Sequence, residues 1–566
     1  MSPFLRLAWI PPLLTLAACA TAAPPPATTT EVSIPASISG QSAYGLFLAG
    51  QSAINTGEGS AAAGYFTRAA GVADGADAPF VESHAFTAAL LAGDIKGAAA
   101  IAPLTDDDVV LRRLAILTVA VDDLAGGKAA RARTLLGQVG DPYASPAALL
   151  TPFAAAKAGD GEAAIGLPVI ANDPLASYFA SLDQGILFEH LRRYDEAETA
   201  FRALIEHGDP GSLASLNLGA FLERRGRWAD AVATYNEALG RTPGDPTLIA
   251  ARDRATSRHG APNMESLDAS AAEAMTALSS TLIVRKQNEA GLAYLRLALR
   301  LDPERDAAWL LVGDILTDIG DKDAARAAYL SPRPGQPDFV AARDKLAWSL
   351  QGDGSKDDAL QLARAAAASE PTSREAATNL ADLLRADERY DESVAILDKL
   401  IAEQGDAPDW RLLYMRAVDY QASDRWPEAE KDLNLALKQR PDEPELLNFL
   451  GYSWIDRGEK LHEALAMVQK AVDSDPKSGA MTDSLGWGYY RLGDYKTAVE
   501  KLELAVSLEA GDPDINNHLG DAYWRVGRRV EARFQWSRVL TLEPDAKLRA
   551  EAEAKLRNGL GPTTGS

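Results

Sequence analysis

Catalysis, metal binding and phosphate binding each need particular side chains at particular spacings, and the 566 residues offer few of them. The six histidines, at 84, 190, 207, 259, 462 and 518, are scattered along the chain. His462-Glu463 lacks the second histidine that a zinc-protease helix requires. Gly57-Glu58-Gly59 and Gly159-Asp160-Gly161 follow no strand pattern and complete no phosphate-binding fingerprint, so they read as glycines that end helices. Ser474-Asp475-Pro476-Lys477 has the Ser-x-x-Lys spacing of some acylating enzymes, but its proline marks a turn. The expectation is a protein that is not an enzyme, with no catalytic residue, no metal and no cofactor.

The one cysteine, Cys19, has a different chemistry in view. Residues 1–18 read as a signal peptide, with Arg6, an apolar run from Leu7 to Leu16, and then small residues. The run is too short for a permanent span. Leu16-Ala17-Ala18-Cys19 resembles the lipobox of bacterial lipoproteins, which implies cleavage before Cys19 and lipid attachment to its sulfur. The alternative is an ordinary secretory signal cut nearer Ala22, and the Pro11-Pro12 pair keeps it open. Residues 19–40 are rich in Pro, Thr, Ser and Ala and suit a flexible tether. Position 20 is not Asp, which by resemblance to enteric lipoproteins favours the outer membrane, on its periplasmic face.

What must position any binding residues is a helical array. Ala, Leu, Asp, Glu and Arg dominate, and long runs of Val, Ile and Thr are missing. Gly185, Ala197 and Phe201 return as Gly219, Ala231 and Tyr235 after 34 residues each. Gly486, Gly493, Ala498 and Leu502 return at the same interval as Gly520, Gly527, Ala532 and Trp536. This is the tetratricopeptide (TPR) pattern. It predicts an all-α, right-handed superhelical solenoid of about 14 helix pairs, starting near Ala43 and ending with the pair near Pro513. One pair cannot bury its own apolar face, so neighbours serve as its core.

Arg258-His259-Gly260-Ala261-Pro262 breaks any helix. The expected order is therefore an N-terminal TPR-like lobe over 41–258, a break over 259–271, and a C-terminal TPR lobe over 272–544. A capping helix that solvates the end of the stack, with a disordered tail, is expected over 545–566.

Net charge of -23, from 57 Lys plus Arg against 80 Asp plus Glu, excludes nucleic acid as a natural partner. It favours proteins with basic surfaces, or is simply a solvated exterior. In the last three repeats the second, fifth, ninth and twelfth positions of each first helix collect Asn448, Tyr452, Asp483, Trp487, Tyr490, Asn517, Asp521 and Trp524, with Arg525 next along. Aromatic rings among amides and carboxylates suit a peptide groove. The competing reading packs Tyr452 and Trp487 between helices.

Asn448-Phe449-Leu450-Gly451-Tyr452-Ser453, Asp483-Ser484-Leu485-Gly486-Trp487 and His518-Leu519-Gly520-Asp521 resemble a family of proteobacterial outer-membrane TPR lipoproteins, the adaptors of a periplasmic carboxyl-terminal processing protease. Ala290 to Asp302 is similar to that family's middle repeats. The resemblance implies a scaffold that recruits the protease and presents cell-wall hydrolases to it. The alternative is a scaffold for outer-membrane assembly or for polysaccharide or protein export.

Overall fold

Single small residues set how closely two helices approach. Gly219 on helix Leu213–Arg224 faces Tyr235 on helix Trp228–Arg241, and a β-carbon at 219 would lie 2.2 Å from that ring. Gly520 faces the fully buried Trp536 in the same way, at 2.5 Å. Ala231, Ala498 and Ala532 on the second helices are wholly buried. A small residue opposite a large one thus fixes the spacing of each pair, and interdigitated side chains fix its angle.

The computed structural model describes residues 42–75, 78–105, 107–405 and 408–561; Cys19, the signal peptide and the tether lie outside them. Among the described residues there is no strand. Fourteen helix pairs run from Ala43–Asn55 with Gly59–Ala70 to Pro513–Arg525 with Arg529–Val539. A lone helix, Pro246–Ser257, stands between the sixth and seventh pairs, and Ala546–Asn558 closes the stack. Aspartates and serines cap many first helices; Asp512, for example, accepts from the Ile515 N–H ahead of Pro513 at the first helical position. Two second helices of the N-terminal half are stunted, Ile95–Ala100 and Gly161–Ala164, because Pro103 and Pro168 follow them closely. No helix among the described residues is long and apolar enough to cross a membrane.

The expected start of the C-terminal lobe, residue 272, falls inside helix Leu267–Val284. By packing, that helix and its partner Asn288–Leu301 belong to the N-terminal core. Leu267–Val284 lies against Ala144–Lys157 and Pro174–His190, and Asn288–Leu301 against Ala78–Ala92 and Val109–Ala125. These are the first helices of the second to fifth pairs, so the seventh pair fills the inner face of the N-terminal turn. Ten of the fourteen residues of Asn288–Leu301 are buried. Met275, Leu278, Tyr294, Leu297 and Leu301 join one core with Phe86, Leu117, Phe153 and Leu187. Each fully buried large side chain of this kind contributes about 1.5–3 kcal/mol.

Polar ties hold the same contact. Arg300 pairs with Asp122 at 2.9 Å, Lys157 with Asp268 at 2.6 Å, and the Arg296 Nε–H donates to the Leu91 carbonyl at 3.0 Å. The turn closes where Asp321 caps two helices at once: it accepts from Ala324 N–H at 3.1 Å in its own helix and from Gly59 N–H at 2.9 Å in the first pair. The break expected over 259–271 is non-helical only up to Ser266, and it is tied down by Arg305 on Glu265 and by Arg224 on the Pro262 carbonyl.

Candidate functional site

With the N-terminal inner face filled from within, the inner face of the later repeats is the surface left to receive a guest. On helix Pro444–Arg457, Asn448 and Tyr452 stand one turn apart and half-buried. Asn448 Oδ1 is shielded from solvent and has no hydrogen-bond partner. Burial, with the charges of Asp483, Asp456 and Asp514 behind it, raises the Tyr452 hydroxyl well above its ordinary pKa, so it stays a neutral donor.

Helix Gly479–Leu492 carries Asp483, Trp487 and Tyr490. The Trp487 indole lies between two rings, 4.5 Å and 8° from Tyr490 and 4.1 Å and 16° from His518. Its Nε1–H is buried without an acceptor. The His518 ring holds Asp483 at 2.9 Å through Nδ1. Burial pushes the imidazole down, but the charge and hydrogen bond of Asp483, with Asp521 and Asp514 near by, outweigh it and hold the group above its ordinary value. A cation on an indole face backed by a carboxylate is a favourable arrangement.

The remaining four residues are taken up by the segment Ala546 to Gly561 of the same chain. Lys555 on the closing helix Ala546–Asn558 reaches inward, 2.9 Å from Asn517 Oδ1 and 2.8 Å from Asp521 Oδ2. Asp521 also accepts from Trp536 Nε1–H at 2.9 Å. The Trp524 Nε1–H donates to the Leu560 carbonyl at 3.2 Å, and Arg525 donates to the Gly561 carbonyl at 2.8 Å and to the Tyr490 hydroxyl at 3.2 Å. Gly559 to Gly561, within the span expected to hold the cap and a disordered tail, lie across Trp524, and residues 562–566 lie outside the described ones. The site residues read from the sequence divide into a partly exposed group, Asn448, Tyr452, Trp487 and Tyr490 over the buried Asp483, and a group that anchors the cap, Asn517, Asp521, Trp524 and Arg525.

Two features escaped the sequence reading. His518 was visible only as a word in a family pattern; its sixth position in the helix gave no hint of stacking. Lys555 sits seven residues after Leu548 and three after Ala552, on a face that would otherwise be apolar. No group of three or more metal-ligating side chains occurs among the described residues, and the cavity beside Asp183 has about 10 Å³, room for a water at most.

A tetratricopeptide repeat profile matches residues 182–246, 276–337, 414–479 and 484–546, and a second tetratricopeptide repeat profile matches 350–417, together more than half of the chain. The TPR repeat-containing protein PA4667 of Pseudomonas aeruginosa is 29% identical over 222 residues, which are 38% of this chain and 36% of that protein. The chain thus spans about a third of that relative's length. Among solved structures, a tetratricopeptide repeat protein from Parabacteroides merdae has 13% identity and a TM-score of 0.36, over 51% of this chain and 99% of its own. The thermophilic TPR protein of Thermus thermophilus has 23% identity and a TM-score of 0.30, over 33% and 100%.

Proposed function

Because the chain belongs to the tetratricopeptide repeat family, whose stacked helix pairs hold other proteins, we propose that it is a lipid-anchored scaffold. In this reading Cys19 carries the lipid, the outer membrane is its site, and the later repeats recruit a carboxyl-terminal processing protease together with its cell-wall hydrolase substrates. The observation that carries the reading is the accessible stretch of groove at Asn448, Tyr452 and Trp487. Just beneath its surface lie two polar atoms, Asn448 Oδ1 and Trp487 Nε1, that no group among the described residues satisfies. Buried polar groups are almost always paired, and a partner's backbone offers both a donor and an acceptor. The words shared with the adaptor family fall on these same residues.

The test uses the full chain in its own membranes. Capture from detergent extracts should recover a serine protease with a peptide-binding domain, and deletion should raise the level of a wall hydrolase. Tyr452→Ala with Trp487→Ala should cut capture more than tenfold, the scale of a binding hot spot, with helicity unchanged. Cys19→Ser should move the protein to the soluble fraction. Recovery of an outer-membrane channel or export complex would select the export scaffold instead. No partner at all, with hydrolase levels unmoved, would refute the scaffold.

A further inference from the structure

One arrangement of side chains occurs twice along the C-terminal groove. Counted from Gly479, the fifth and ninth positions are Asp483 and Trp487, and the second position of the next first helix is Asp514. Counted from Val340, the same positions are Asp344 and Trp348 on helix Phe339–Gly352 and Glu375 on helix Arg374–Ala386. The two sets differ in what lies on the indole. At Trp487 it is His518, whose ring plane is nearly parallel to the indole and whose Nδ1 meets Asp483. The residue in the register of His518 beside Trp348 is Asn379, which carries no charge.

The side chains around Trp348 are of the kinds that receive a cation: an indole face, carboxylates and an amide oxygen. Trp348 is 42% exposed. Asp344 Oδ1 and Gln351 Oε1, which share the Trp348 face at seven residues' spacing, are shielded atoms with no hydrogen-bond donor among the described residues. Burial first, and then the charge of Glu375, push Asp344 up to about 6, against the Trp348 hydrogen bond and Lys345. Glu375, though exposed on its helix, is raised by partial desolvation and by Asp338. The nearest ammonium, Lys345, is engaged with Asp314 at 2.9 Å. Every orphan atom here is an acceptor, and the carboxylates repel one another, so an incoming donor with positive charge relieves both costs together. A planar guanidinium fits better than an ammonium, since it can lie flat on the indole as His518 does and still present two N–H groups to a carboxylate and an amide oxygen.

We propose that Asp344, Trp348, Gln351 and Glu375 form a receptor for an arginine side chain on a basic segment of the partner protein, in the place that His518 takes at Trp487. This rests on the scaffold reading and names the chemistry of its guest. The charge of -23 on the chain steers such a segment toward it.

The experiment measures anisotropy of a fluorescein-labelled Ala-Arg-Ala-Arg-Ala peptide with the full chain, at near-physiological salt to screen diffuse attraction. The arginine peptide should bind, and its citrulline counterpart, neutral and of the same shape, at least tenfold more weakly. Asp344→Asn and Trp348→Ala should each weaken the arginine peptide about tenfold, the scale of a partly desolvated cation on a ring. Asn379→His should compete from within and weaken it as well; it and Asp344→Asn preserve side-chain volume closely enough to decide the matter if Trp348→Ala melts early. Equal binding of the citrulline peptide, no binding of the arginine peptide, or binding indifferent to Asp344→Asn and Asn379→His would each overturn the receptor. A chain that still captures its membrane partner while ignoring the arginine peptide sinks the receptor alone, whereas a chain that captures nothing sinks the scaffold.

Discussion

His518 faces Trp487 and Asp483 on one side and feels Asp514, Asp521 and Glu551 on the others, so one proton there is felt by two repeats and the cap. Its folded pKa is held above the ordinary 6.5, so its stabilisation is complete below that value and is lost as pH rises through the folded pKa. Asp514 and Asp521 are raised too, each first by burial, and a raised carboxyl also loses stability with rising pH, though from 3.8 upward and hence in a more acid window. The last two repeats should therefore weaken as pH rises above the ordinary histidine value of 6.5 and through the higher folded one, seen as faster amide exchange over residues 479–558, and His518→Gln should flatten that dependence. Protection that grows with pH over the same range would contradict the charge assignment. At this scale the sequence was read well where a residue's role follows from its helix position, as at Gly219 and Gly520. It was silent where the role depends on a neighbour 35 residues away, as His518 depends on Asp483.

Among the elements, the closing helix Ala546–Asn558 shows what periodicity can and cannot foretell. Its existence and its polar outer face were legible, because Leu548 and Ala552 leave the rest of the surface to charge. Lys555 completes that inner face, and a lysine there reads as solvated unless the buried Asp521 beneath it is known. The pair is 2.8 Å apart with both side chains about nine-tenths buried. Removing one member strands the other, which typically costs 3–5 kcal/mol. Lys555→Met should accordingly cost about 3 kcal/mol in denaturant titration of the last repeats. Asp521→Asn added to it should recover part of that loss, because an amide still accepts from Trp536 and needs no counter-charge. If the single and double variants unfold alike, Lys555 contributes only packing.

For the whole molecule, the decisive feature is that helix Asn288–Leu301 is buried nearly all round, Arg296 included. A solenoid helix exposes one face, so a helix with ten buried residues of fourteen must be enclosed on several sides. Read within a 34-residue period it looked like an ordinary middle repeat; its surroundings come from the curvature that brings the first pair round to meet Asp321, and no local spacing encodes that. The consequence separates the molecule differently from the break at 259–271. A fragment ending at Ser257 loses the wall against which Phe86, Leu117, Phe153 and Leu187 are buried, and should aggregate or show depressed helicity by circular dichroism. A fragment from Ser42 through Asp302 restores that wall and should fold with a cooperative melt. The repeats from Asp306 to Gly561 lose only the end of their stack that Leu292, Leu295 and Leu299 cover; as stacked repeats held mainly by one another they should fold without the first three hundred residues, frayed at Asp306–Ile319 and keeping the groove at Tyr452 and Trp487. Equal folding of the fragments ending at 257 and 302 would mean that the inner hairpin is a guest of the N-terminal turn and not its core, and partner capture would then have to be sought on both faces.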